Sequence, residues 1–160
     1  MIMKPRKSWR EKLADSKGLP RVGKVTGKMS KRWGEGMMVV PAPFEVDALM
    51  KQVPRGLLVT VNELRSALAK KHKANFACPM TTGIFSWIAA HAAAEGEAEG
   101  SKGITPFWRT LKSGGEVNPK FPGGIDEITK RLRAEGHRVI SKGKKTIVMD
   151  HEKKLFTKLR

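Results

Sequence analysis

The stretch from Gly83 to Ala94 constrains this chain more than any other, because it is the longest apolar run and only Ser86 and His91 interrupt it. A membrane span needs about 20 apolar residues, so a run of this length cannot cross a bilayer. In a globular chain it has to be buried instead. The spacing predicts a helix of about fifteen residues ending near Glu95, with Ile84, Phe85, Trp87, Ile88 and Ala92 in the core.

What packs around that helix is limited by size. A chain of 160 residues and 17.7 kDa has room for one ordinary domain and an extension. Its charge is lopsided, with 32 Lys and Arg against 15 Asp and Glu, a formal net charge of +17. A field of that sign favours a polyanion, either nucleic acid or an anionic membrane surface. The N-terminus is basic but lacks the apolar core of a secretory signal. The expectation is a soluble intracellular protein, cytoplasmic and nucleoid-associated, that binds nucleic acid and not a membrane. The single cysteine, Cys78, excludes an internal disulfide and a multi-cysteine metal site. His72, His91, His137 and His151 lie too far apart in sequence to suggest zinc, and no cofactor is expected.

The charge is not evenly spread. Residues 1–36 hold eleven Lys or Arg and three Asp or Glu, with five glycines and almost no apolar periodicity. They read as the main part of a basic N-terminal arm, residues 1–43, mostly extended and in part disordered. Trp9 and Trp33 could pin the arm to the domain or stack on bases. The arm itself could bind nucleic acid or only solubilise.

The ordered domain is expected over 44–160. Phe44, Val46, Leu49, Met50 and Val53 fall at helical spacing before the stop at Pro54–Gly56. Leu57–Val61 is a short apolar stretch, and Thr60 or Asn62 can cap a helix over Asn62–Lys73 with Leu64, Ala67, Leu68 and Ala69 on its apolar face. A tight break at Ala74–Pro79 then leads into the apolar helix. Two helices joined by a short turn in a basic chain suggest a helix-turn-helix. Glu95–Gly103 reads as a mobile connector, Ile104–Leu111 as an apolar segment, and Ile125–Glu135 as a helix stopped by Gly136. Arg138–Ser141 and Thr146–Met149 read as a hairpin whose lysine-rich tip is either a wing or an ordinary charged turn. The fold class is therefore mainly α with small β: a winged helix-turn-helix-like domain with a C-terminal β-hairpin and a basic N-terminal extension.

From Phe44 to Gly136 the order of features resembles the DNA-binding domain of the alkylguanine-DNA alkyltransferases. Four segments carry the likeness: Val53–Gly56 through Thr60, Glu63 and Leu64; Pro79–Gly83 with the small-residue helix beyond; Ile104–Arg109; and Phe121–Gly124 with Lys130, Leu132, Glu135 and Gly136. In that family a cysteine follows the proline of a Pro-Cys-His-Arg motif and accepts the alkyl group, activated by the next histidine and a glutamate of the last helix. Here Pro106 is followed by Phe107 and Trp108, then Arg109, and only Glu135 of the activating set stands. A phenyl ring or an indole cannot become the thiolate that alkyl transfer requires, so the family reaction is excluded at this position. The sequence resembles the alkyltransferase-like branch, which replaces the cysteine and binds lesions without repairing them.

The resemblance implies a lesion pocket formed by Pro106, Phe107, Trp108, Arg109, Phe121, Pro122, Gly123, Gly124 and Glu135. Against this stand plainer readings, in which Phe107 and Trp108 are core and Arg109 is a structural partner of Glu135. The family's arginine finger falls near Gly83 and its nucleotide-rotating tyrosine at Val61. Flipping a base therefore needs a substitute, with Phe85, Arg65 or an arm residue as candidates. Thr60, Asn62, Arg65, Thr81, Thr82, Ser86, Lys102 and Lys120 are the candidate DNA contacts, since hydroxyls, helix N-termini and lysines suit phosphates. Cys78 lies in the helix-helix turn, away from the nucleophile position, and reads as an inert small hydrophobe. The function expected is non-enzymatic binding of double-stranded DNA by a monomer that recognises alkylated or exposed bases and flags them for other repair proteins. A sequence-tolerant architectural or regulatory binder without lesion recognition is the alternative.

Overall fold

The computed structural model describes residues 6–160. It is mainly α, with three small sheets. The apolar run sits at the centre as α5 (Pro79–Ala98), with Phe85, Ile88, Ala89, Ala90, Ala92 and Ala93 buried. Its small side chains let neighbours approach closely. Helix α1 (Trp9–Ala14) and α3 (Pro43–Lys51) both pack on it, and α4 (Val61–Lys71) lies against both α3 and α5. Helix α6 (Gly124–Ala134) closes the core through Ile128 and Leu132.

Helix α4 starts where its first turn is best satisfied. Thr60 Oγ1 accepts from the Asn62 amide at 3.1 Å, while Glu63 accepts from the Thr60 amide at 2.6 Å, a reciprocal cap that makes Thr60 the N-cap rather than Asn62. Helix α6 starts from Gly123, whose φ of 80° lies in the left-handed region that favours glycine.

Strand β1 (Arg21–Lys24) pairs antiparallel with β2 (Met37–Val40), and β2 pairs in parallel with β4 (Phe76–Ala77), in the turn between α4 and α5. Helix α2 (Lys28–Trp33) spans the loop of that ribbon. Strands β3 (Val59–Thr60) and β5 (Thr110–Leu111) pair in parallel, and β6 (Val139–Lys142) with β7 (Lys145–Val148) form the C-terminal hairpin. The C-terminal segment straps the start of β3, with Leu58 bonded to Lys154 and Phe156 through its backbone.

Three expectations change. Residues 6–43 carry two helices and a ribbon instead of a mostly extended arm; residues 1–5 and the Trp33 side chain lie outside what is described. The reason is tertiary. Trp9 packs on Trp87 and His91 with ring centroids 4.7 and 4.5 Å away, and the Glu95 carboxylate accepts from the amides of Trp9 and Arg10 at the start of α1. That same carboxylate shows why the expected connector at Glu95–Gly103 begins as helix: Glu95 is tied to α1, and Glu97 to Arg131 of α6. Ile84, expected in the core, is 45% exposed because α5 turns its other face inward.

Candidate nucleic-acid interface

The residues matched to the family's reactive motif form a closed cluster. A short 3-10 turn over Phe107–Arg109 follows buried Pro106 and puts the Phe107 ring in the core, 1% exposed. Trp108 and Phe121 meet that ring edge to face, with centroids 5.3 and 6.4 Å away. Arg109 donates from Nε and Nη2 to the two oxygens of Glu135 at 2.9 and 3.0 Å, and from Nη1 to the Val53 carbonyl at 2.8 Å. Trp108 Nε1 donates to Glu135 at 2.6 Å and the Gly56 amide donates at 3.1 Å. The carboxylate is thereby fully engaged. Burial alone would raise the Glu135 pKa, but the hydrogen bonds from Arg109, Trp108 and Gly56 outweigh it and hold it below the ordinary value.

Arg131 lies 4.7 Å from the Trp108 ring centre and seals the cluster from the α6 side. Nearby His137 is buried, with no hydrogen-bond partner for Nε2 among the described residues, and burial lowers its pKa. Of the expected pocket wall, Phe121 is core, Pro122 is half-buried, and Gly123 and Gly124 form the left-handed start of α6. Of the residues expected to line a lesion pocket, Phe107, Trp108, Arg109, Phe121 and Glu135 are brought together by ring contacts and hydrogen bonds. Phe107, Phe121 and the Glu135 side chain face inward.

The expected DNA contacts divide in the same way. Thr60 is consumed by its cap, Thr82 is fully buried and donates to the Cys78 carbonyl at 2.7 Å, and Ser86 is buried and donates to the Gly83 carbonyl at 2.8 Å. A hydroxyl so placed cannot reach a phosphate. Thr81 is half-buried with its oxygen enclosed and unpartnered. Arg65 gives its Nε to the Ala77 carbonyl, and Phe85 is 5% exposed and lies in the core. Asn62 is exposed and donates to Ser113 at 3.2 Å. Lys102 is exposed but stands beyond the C-terminal end of α5, whose full length is roughly 30 Å at 1.5 Å per residue. Asn62 and Arg65 border a smaller cavity beside β4, Lys102 one at the far end of α5, and Lys120 an open cavity along the first half of α5.

That cavity is a groove of about 430 Å³ between α5 and the segment 112–120. Met80, Gly83, Ile84 and Trp87 form its helical bank; spaced i, i+3, i+4 and i+7, they share one face of α5. Lys112, Asn118, Pro119 and Lys120 form the other bank. Trp87 Nε1 donates to the Lys120 carbonyl at 3.2 Å, and His91 Nε2, which must carry the proton there, reaches it at 3.1 Å. The Lys120 amide in turn donates to Asn118 Oδ1 at 3.0 Å, so the loop bank is held in place. Sequence reasoning missed Met80, Ile84, Trp87, Asn118 and Pro119 as site residues. The i, i+3, i+4, i+7 spacing was visible, but it looks the same on a buried face as on an exposed one.

No family model matches the chain. No curated protein matches it either. Among solved structures it is similar to S. pombe Atl1, crystallised in complex with damaged DNA containing O6-carboxymethylguanine. The TM-score is 0.51 at 16% identity, covering 71% of this chain and 93% of that one. At that identity the likeness is one of fold.

Proposed function

We propose that this chain, which has the fold of an alkyltransferase-like protein, is a non-enzymatic DNA-binding protein that docks α4 and α5 on a duplex. An altered or exposed base would lie over the groove between α5 and residues 112–120. One observation carries this reading: an open apolar stripe, banked by lysines, at the start of α5 in a chain of net charge +17. Lysines neutralise phosphates and supply affinity without reading sequence, while base faces stack on apolar and aromatic surfaces. The likeness in fold to a protein solved on damaged DNA supports the same reading.

Chemistry on the DNA is no part of it. Phe107 offers no nucleophile, and the Glu135 carboxylate is already shared among three donors. Binding without reaction suits a monomer that marks a site in the nucleoid for other repair proteins. The closed Phe107 cluster favours a second reading, a sequence-tolerant architectural or regulatory binder.

Matched short duplexes, one unmodified and one with a single alkylated guanine, separate the two in a salt series. A preference of about tenfold for the lesion, about 1.4 kcal/mol, is the result expected of a lesion reader. Equal binding that fades with salt moves the protein to the second reading. Absence of duplex binding at low salt removes both.

A further inference from the structure

We infer that Met80 and Ile84 form an apolar wedge that enters a base step of bound duplex DNA and unstacks it. The inference rests on the duplex docking proposed above and adds what the docking face does to the DNA. Met80 is 56% exposed and Ile84 45%, yet both belong to a 20-residue helix whose other face is the core. They stand one turn apart on the same face of α5. Gly83 lies between them, and a Cβ built there would meet nothing within 4 Å. The two side chains therefore project beside a notch, with Trp87 one turn further along.

The surroundings select the occupant. Lys120 and Lys112, the latter 3.6 Å from the Glu116 carboxylate, rim the far bank in a chain of net charge +17, so an occupant with negative charge at its edge and an apolar face at its centre complements the groove. Phosphates alone satisfy the rim and leave Met80 and Ile84 unburied. A base step framed by its two backbones satisfies both. Minor-groove proteins that kink DNA insert Phe, Leu, Ile, Met or Pro side chains between base steps, and they do so most easily where pairing is already weak. Of the substitutes named from the sequence, Phe85 is in the core and Arg65 gives its Nε to the Ala77 carbonyl, whereas Met80 and Ile84 stand exposed on the docking face itself.

The test uses the full chain and short duplexes carrying 2-aminopurine beside a mismatch, with a fully paired control. Binding is followed by anisotropy and unstacking by 2-aminopurine fluorescence, both at low salt. Wild type should bind, raise the fluorescence, and prefer the mismatched duplex by about tenfold. Met80→Ala with Ile84→Ala should still bind the paired control, lose the rise in fluorescence and lose the preference. Because both side chains are exposed, the thermal midpoint should stay near wild type, which checks the fold. Ile84→Lys adds a charge and removes the wedge, so it should bind at least as tightly while giving less rise.

Wild type that binds without any rise overturns the wedge and leaves the docking reading standing. A rise that persists in the double variant also overturns it. Failure of wild type to bind either duplex brings down the docking reading itself, and a partner with an acidic rim around an apolar centre would then fit the groove.

Discussion

The Phe107–Glu135 cluster and the Met80–Trp87 groove lie on the same helical scaffold, yet they have opposite valence. In the cluster the charged groups find partners inside the protein: Glu135 receives Arg109, Trp108 and the Gly56 amide, and the Phe107 ring is covered by Trp108 and Phe121. In the groove the protein leaves Met80, Ile84 and Lys120 facing solvent, while Lys112 is exposed with the Glu116 carboxylate 3.6 Å away. A region that satisfies itself contributes to stability, and a region that does not is where a partner gains free energy. The contrast relocates the functional question from the place of the family's reactive motif to the exposed start of α5.

The strongest way to break this contrast is Arg109→Ala. It leaves a carboxylate whose side chain is only 4% exposed without its guanidinium, at an expected cost of about 3–5 kcal/mol. Urea unfolding measures it, and a loss below about 1 kcal/mol, the range of exposed pairs, would mean that the cluster is not what holds these elements together. Phe107→Ala should cost about 3–5 kcal/mol through lost burial and the cavity left behind. The related Phe107→Cys restores a thiol, but mass spectrometry after incubation with an alkylated duplex should find it unmodified. Trp108 cannot take its proton, and Glu135 is occupied.

Acid should act on the cluster. Glu135 and His137 both titrate below their ordinary values in the folded protein, so in both cases the unfolded chain binds more protons over the affected range. Stability from His137 is present above the ordinary histidine range and is lost as pH falls toward its lowered native value. Stability from Glu135 is present above the ordinary carboxylate range and is lost as pH falls through its lowered native value. Thermal midpoints measured from neutral to acid pH should therefore fall in two stages. Glu45, Glu95 and Glu97 are also held below the ordinary carboxylate value and share the second, so Glu135→Gln should make it shallower without removing it. The smallest effects belong to the lysines. Lys112→Ala or Lys120→Ala should reduce the slope of log affinity against log salt by about 0.9 each, with unfolding unchanged. A variant that shifts stability instead would show that the groove is braced rather than open.

Much of the scaffold is legible in the chain. Leu64 and Leu68, or Ile128 and Leu132, repeat at helical spacing and are buried as that spacing predicts. The Thr60–Glu63 pair announces the start of α4, and Arg138–Met149 announces a hairpin. The candidate site is less legible. Ile84 and Phe85 are adjacent and both large and apolar, but a helix turns about 100° between them, so one enters the core and the other meets solvent. Thr82 and Ser86 are polar, yet they sit on the buried side with their hydroxyls donated to the backbone one turn earlier.

Local composition and periodicity settle what depends on neighbours in sequence: the existence of the helices from α3 onward, the C-terminal hairpin, the excess of positive charge and the absence of a thiol after Pro106. Tertiary packing alone decides what depends on distant partners. Trp9 meets Trp87 and His91, and Glu95 caps a helix more than eighty residues earlier, which turns a basic N-terminal stretch into part of the fold. Arg109 meets Glu135 and Val53, which closes the reactive-motif region. Which face of α5 is left uncovered follows from where α1, α3 and α4 dock, and that choice is made by complementary shape and paired charge across the core. No short window of the chain contains it.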